Sequence, residues 1–352
     1  SMRLLTAGSL VRVQQGEPRV EKTRICSLSS FFMFFEKLHF PFQLYPPHLT
    51  KQSARSMVWV SQNGFSVFYR IDGRQKMMKN FSVLCPKQPF FLYATSHYCK
   101  HVVGNGEISH FYAFVADDMD VRAMGIPDGC VDILYRCNPE HPEILLSGTG
   151  FSPRPLHLLK GESYFGIRFS PGYLPKFHSI SFAETVAKDL LFEELEKEQD
   201  MHAHIVYARS FEERIRAFLS WYNHKFGIEE PVGRMDLKQY VRMEIIKHHG
   251  TKRIQKIAEE TGYSDRYIAR VFKENYGMTP KQFSEIIQFQ NLLQSLQECQ
   301  EQTINFMSVA VEYAYYDESH MLKFFHRYLQ ETPKEYYRYI QSDLYHRKLD
   351  IL

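Results

Sequence analysis

The chain has 352 residues, 44% of them hydrophobic and 15% aromatic, with a net charge of +3. That is long enough for two or three domains with proper hydrophobic cores, and the aromatic content argues against a disordered chain. Six cysteines stand at positions 26, 85, 99, 130, 137 and 299 with no Cys-x-x-Cys pair, which excludes a disulfide framework and reads as reduced, intracellular usage.

No stretch approaches the roughly 18 apolar residues of a membrane span. The best candidate, Phe31 to Phe35, is stopped at once by Glu36 and Lys37 and has no small-residue cleavage site. A soluble, cytoplasmic protein with no membrane partner is expected. Charge is unevenly spread. Residues 1–89 carry 13 basic against 4 acidic side chains, 90–235 carry 14 against 20, and 236–352 carry 16 against 16.

Ser1-Met2 reads as a cloning scar before or at the natural start. Residues 1–56 are weakly patterned and form a basic N-terminal arm, packed on the domain behind it or touching phosphates. Between Met57 and Leu84 the pattern becomes that of a β-meander. Asn63-Gly64 and Asp72-Gly73 supply the turns between Val58–Val60, Phe65–Ile71 and Met77–Leu84. Strand-like runs continue at 90–94, 109–115, 131–135, 144–147 and 164–169, predicting a curved sheet or small barrel over 57–180.

His97, Cys99 and His101 alternate on one strand face, with Cys85 nearby. Zinc needs a fourth well-placed ligand, and the spacing matches no standard site, so no metal and no cofactor are expected. Asp128 and Asp132 invite an acid/base reading, but no His or nucleophile stands at informative spacing. Asp128-Gly129 is read instead as a turn, and Asp132 as an acceptor of backbone amides at a strand mouth.

After Pro175 the pattern is helical. Phe182 to Lys197 is predicted as one amphipathic segment. Phe211, Ile215, Phe218, Leu219 and Tyr222 then mark one face of a connector helix within 181–227. That face is either a dimer seam or packed on its own domain. Residues 227–233, with Pro231, are the predicted linker.

Residues 236–342 hold a duplication. Ile257 to Asp265 is repeated by Val309 to Asp317 at an offset of 52 residues, which becomes 53 after the turn. Thr279-Pro280-Lys281 and Thr332-Pro333-Lys334 close the two copies. Each copy reads as helix, tight turn and second amphipathic helix, a helix-turn-helix. Asp236 caps a preceding helix that Gly250 closes, and Ser264 or Asp265 caps the second helix of the first copy. Gly262 ends the first helix with positive φ, whereas Ala314 takes that place in the second copy. Ile268, Val271 and Phe272 should face the core, as should Met321, Phe324 and Phe325. Residues 237–281 carry 10 basic and 5 acidic side chains, against 6 and 10 for 282–352.

This arrangement resembles the AraC/XylS family of bacterial transcription regulators over residues 237–340. The words Pro127-Asp128-Gly129…Asp132 and Gly166…Arg168-Phe169…Pro171-Gly172 resemble the N-terminal domain of one group of such regulators. The resemblance implies an α+β multidomain fold: a strand-rich sensor-like domain, a helical connector and an all-α domain with two helix-turn-helix motifs. It also implies a DNA-reading face at Arg266, Ala269 and Arg270 in the first motif, and at Glu318, Ser319, His320 and Lys323 in the second. Ser264, Tyr267, Lys273, Lys281 and Arg327 complete the candidate contacts, with Arg suited to guanine and Lys to phosphate. Double-stranded DNA is the implied partner. An RNA polymerase contact, a small-molecule effector and a homodimer are further expectations. No catalytic residues are assigned. The alternative is a metal- or cysteine-dependent DNA-repair or regulatory protein with a similar DNA-binding domain.

Overall fold

In the computed structural model the described residues are Leu84 to Ile351, apart from 90–94, 104–106, 117–123, 176, 178–179, 227–234 and 300–303, plus the backbone of strands between 2 and 77. The predicted strand at 90–94 and the predicted linker lie outside them. By its contacts the chain divides into two units, Ser1–Val83 and Leu84–Leu352.

The first unit is an antiparallel sheet of β1 (Met2–Thr6), β2 (Ser9–Val13), β3 (Glu21–Arg24), β4 (Arg55–Ser61), β5 (Gly64–Ile71) and β6 (Arg74–Met77). Their order is β3-β2-β1-β4-β5-β6, and β4 runs across the boundary expected at residue 57. Ile71 pairs with Arg74, as an Asp72-Gly73 turn would require, though those two residues lie outside the described ones. The other hairpin closes one residue earlier than expected. Ser61 pairs with Gly64, which makes Gly64 the first residue of β5.

The second unit is built on an open sheet rather than a barrel. Its strands are β7 (Thr95–Val102), β8 (Ile108–Ala116), β10 (Val131–Arg136), β11 (Glu143–Gly148), β13 (Ser163–Phe169), β14 (Asp189–Leu191) and β15 (Leu349–Ile351). The order is β14-β11-β10-β13-β8-β7-β15, while β9 (Met124–Gly125) and β12 (Arg154–Pro155) form a separate short pair. All neighbours in the large sheet run antiparallel except β15, which joins β7 in parallel.

Register decides what each face of this sheet carries. Ile133 lies opposite Ile167, and Ile167 opposite Phe111; Tyr135 lies opposite Phe165. These apolar residues are buried. In chain order the helices are α1 (Phe182–Thr185), α2 (Phe192–Leu195), α3 (Gln199–Tyr207) and the connector α4 (Phe211–Phe226). Phe218 meets Phe111 edge-on at 5.9 Å, Phe211 meets Phe165 at 6.0 Å, and Tyr222 lies 6.3 Å from Phe169. The predicted apolar face of α4 is therefore spent on its own sheet.

On the opposite face Asp132 stands across from Arg168, and Leu134 across from Gly166, over which the Tyr112 ring lies. Arg168 donates to both carboxylate oxygens of Asp132 at 2.8 and 2.5 Å. Its Nη1 is 3.3 Å from Asp128 Oδ2, and the Tyr112 hydroxyl donates to Asp132 at 2.7 Å. Burial works against the Arg168 charge, but the carboxylates of Asp132 and Asp128 outweigh it and hold the guanidinium charged. The amide-accepting role predicted for Asp132 belongs to Asp128, which takes Cys130 N at 2.9 Å. Asp132 answers the cation that the register sets beside it.

The predicted single segment 182–197 is broken. Ala187 has φ 55, and β14 pairs with β11 between the short helices α1 and α2. Cross-strand burial of Leu190 opposite Leu146 outweighs the helical periodicity there.

The remaining helices are α5 (Leu237–Lys247), α6 (Ile254–Thr261), α7 (Asp265–Tyr276), α8 (Pro280–Glu298), α9 (Phe306–Glu312), α10 (Glu318–Tyr328), α11 (Pro333–Ile340) and α12 (Asp343–Lys348). Two words singled out in the sequence form their contact with the sheet domain. Gln290 on α8 donates to Pro127 O at 2.9 Å, and Arg242 on α5 donates to Pro171 O at 2.7 Å. Gly129 (φ 73) and Gly172 (φ 67) lie under Phe283, which is buried on α8. A Cβ at Gly129 would stand 3.0 Å from that ring. Gly129→Ala is expected to destabilise the protein by about 1–2 kcal/mol through the left-handed backbone alone. An unchanged denaturation midpoint would contradict this account of the contact.

Candidate nucleic-acid interface

The first motif is built by capping as much as by core. Gly262 (φ 74) ends α6 by donating its N–H to Ala258 O, and Ser264 starts α7 by accepting from Tyr267 N at 3.3 Å. The cap is thus Ser264, and Asp265 is the first helical residue. Ile257, Ile268 and Phe272 are buried, while Val271 is only half-buried. The opposite face exposes Arg266, Tyr267, Arg270 and Lys273, with Lys281 exposed near the start of α8 and Ala269 half-buried between the arginines.

This face is ordered before any partner arrives. Tyr263 stacks on Tyr267 at 5.1 Å, the Arg270 guanidinium lies 5.1 Å over the Tyr267 ring, and its Nη1 is 3.0 Å from Glu274 Oε1. The Arg270–Glu274 pair is exposed on both sides and so is weak. A phosphate or a guanine edge can displace Glu274 at little cost.

The second motif reproduces this frame with different residues. Asp317 caps α10 by accepting from His320 N at 2.6 Å, and Met321, Phe324, Phe325 and Tyr328 are buried. The change of offset from 52 to 53 is one extra residue between Ala314 and Asp317. Tyr315 turns inward and Tyr316 is left 90% exposed. Ser319, Lys323 and Arg327 are exposed, whereas Glu318 and His320 are half-buried.

His320 is held between Tyr315 at 5.7 Å and Phe324 at 5.2 Å, and its Nδ1 faces Tyr316 N at 3.4 Å. It supports the turn more than it offers a free ring. Arg327 turns back toward Glu285 on α8 at 3.6 Å. The structure therefore gathers the first motif's candidates on one face but leaves mainly Ser319 and Lys323 open on the second. Tyr263 and Tyr316 were not among the candidates. Their signal was the aromatic that directly precedes the helix cap, Ser264 or Asp317, in each copy.

Ala314 has φ 57 and Gln330 has φ 58, where the first copy has Gly262 and Gly277. A side chain in that region costs about 1–2 kcal/mol. Ala314→Gly and Gln330→Gly are each expected to raise stability by about 1 kcal/mol, after the greater unfolded-state freedom of glycine is discounted. A lower melting temperature for either variant would contradict this.

Of the metal candidates, His97 and Cys99 lie together with Asp350, and His101 is not part of that group. Cys85 instead has its Sγ 3.6 Å from His110 Nδ1.

Residues 257–339 match the family described as helix-turn-helix domain. The chain is 24% identical over 101 residues to the probable transcription factor PqrA of Proteus vulgaris, covering 29% of this chain and 80% of that protein. Similar solved structures include ToxT from Vibrio cholerae, with 14% identity and a TM-score of 0.33 over 62% of this chain and 88% of that one. Unsaturated fatty acid-bound wild-type ToxT from Vibrio cholerae is also 14% identical, with a TM-score of 0.33 over 69% of this chain and 93% of its own. Among the described residues no helix is long and apolar enough to cross a membrane.

Proposed function

By its C-terminal helix-turn-helix domain this chain belongs to the AraC/XylS family of DNA-binding transcription regulators, and we propose that it reads duplex DNA mainly through α7. The observation that carries this reading is the exposed row Arg266, Arg270 and Lys273 on a capped helix whose other face is buried. Two such helices in one chain suit two successive major-groove contacts. Arg266 and Arg270 supply base-edge donors, and Lys273 and Lys281 neutralise phosphate.

Arg266→Ala is expected to lose about 1–3 kcal/mol at a specific site and much less on random duplex. Fragment selection followed by titration checks it, and a variant that binds selected fragments like the parent removes the assignment.

We further propose that the domain on the β7–β14 sheet senses a small polar effector. A cavity of about 40 Å³ is lined by Tyr112, Asp132, Thr149, Arg154 and Arg168. That is room for about three waters, or for the polar head of a larger ligand. Its wall is tied to the DNA-binding domain. Gln88 donates to Asp128 at 2.7 Å, and the neighbouring Lys87 N–H donates to Gln290 on α8 at 2.7 Å. A ligand that displaces Gln88 or Asp128 would thereby bias the docking of α8. Linkage demands that effector and operator change each other's affinity by one factor. A contact with RNA polymerase belongs to the same reading, with the acidic second motif as the surface nearest that role.

A further inference from the structure

The strand pair that carries residues 349–351 onto the sheet also brings three metal-ligand types to one place. His97 and Cys99 alternate along β7 and share a face. β15 pairs in parallel with Asp350 opposite Cys99, which puts its carboxylate on that same face. His97 Nε2 lies 3.0 Å from Asp350 Oδ2, and Cys99 Sγ lies 3.5 Å from His97 Nδ1. One donor atom from each of the three residues falls within 4.8 Å of the others.

We propose that His97, Cys99 and Asp350 bind a zinc-class divalent cation that staples β15 to the sheet edge. Zinc–nitrogen and zinc–oxygen bonds of about 2.0–2.2 Å and zinc–sulfur bonds of about 2.3 Å set tetrahedral edges of roughly 3.3–3.7 Å. Asp350 faces His97 Nε2 and Cys99 faces Nδ1, so the side chains would rotate to bring both onto the one nitrogen that binds the ion, and His97 and Asp350, 55% and 64% exposed, have room for it. Three protein ligands leave the fourth position to water. A thiolate with an imidazole selects a borderline-soft ion over magnesium or calcium. Binding releases the Cys99 thiol proton as the sulfur–metal bond forms. Because β15 follows α12 directly, the ion would hold the far end of the helical domain against the sheet domain. The site stands whether or not the chain reads DNA as proposed above.

The test uses the full chain, purified with chelator and dialysed, then titrated with Co²⁺ and competed with Zn²⁺. A single equivalent should give a thiolate-to-cobalt charge-transfer band that Zn²⁺ abolishes, and Cys99→Ser should lose the band. Asp350→Asn should weaken Co²⁺ about tenfold or more, since even outer-sphere changes cost that much. Zn²⁺ should slow amide exchange at residues 98–100 and 349–351. His97 and Asp350 are exposed and Cys99 is half-buried, and none belongs to the core, so circular dichroism of the variants should match the parent. A band that survives Cys99→Ser, an Asp350→Asn affinity equal to the parent's, unchanged exchange, or no stoichiometric binding would each overturn the proposal.

Discussion

Asp132→Asn is expected to cost about 3–5 kcal/mol, because it leaves the Arg168 guanidinium buried with half its counter-charge gone. Arg168 and Asp132 are 4% and 7% exposed, so water offers no replacement. The loss should be partly recovered by combining Asp132→Asn with Arg168→Met, which removes the orphaned cation and keeps the volume, but Asp128, 3% exposed, then loses its buried counter-charge and limits the recovery. Chemical denaturation of the double variant and both single variants decides the matter. If the double variant is the less stable by the sum of the single losses, the pair is not coupled as described. The same substitutions lie in the wall of the cavity, so a lost effector response with preserved folding would separate sensing from stability.

The second large effect concerns the asymmetry of the two motifs. Arg266→Ala with Arg270→Ala is expected to lose about 2–6 kcal/mol of specific binding, the sum of two base-reading contacts. Ser319→Ala with Lys323→Ala should cost distinctly less, because Lys323 neutralises a phosphate and Ser319 forms a single neutral bond. Glu318 adds to this ordering. Beside phosphates its charge is repelled unless it accepts from cytosine N4, so Glu318→Gln should strengthen binding to random duplex. Footprinting at stepped salt measures all three, and protection of the second half-site that outlasts the first would reverse the ordering.

The helical domain was legible because its information is local. The apolar spacing, the Ser264 or Asp265 start of the second helix, and the Thr-Pro-Lys words at 279–281 and 332–334 all lie within a few residues of what they position, although only the structure makes Thr279 and Thr332 the N-caps of the helices that follow. The Asp236 cap was legible for the same reason. The sheet domain was legible only as strands. Asp132 and Arg168 are 36 residues apart, and their partnership exists only once β10 is known to lie beside β13. β14 and β15 are three residues long and take their form from distant neighbours, so no periodicity could announce them. Gln330 escaped notice because nothing in a glutamine signals positive φ. The offset change from 52 to 53 was visible, but its consequence, an inward Tyr315 beside an outward Tyr316, depended on the buried space between α9 and α10. The role of the two glycine words followed the same rule. Their turns could be read from sequence, but the Phe283 ring that rests on them could not.

The pairing of β15 with β7 bears on how the chain is made. Leu349 pairs with Tyr98, about 250 positions earlier. At about 5–20 residues per second, β7 waits roughly 12–50 s on the ribosome before its neighbour exists. Throughout that interval it is a bare sheet edge, a template for pairing with other nascent chains. Closing so long a loop also places this pairing late in the order of folding. The hazard of the open β7 edge therefore lasts until β15 is made, and slow decoding upstream of residue 349 prolongs it.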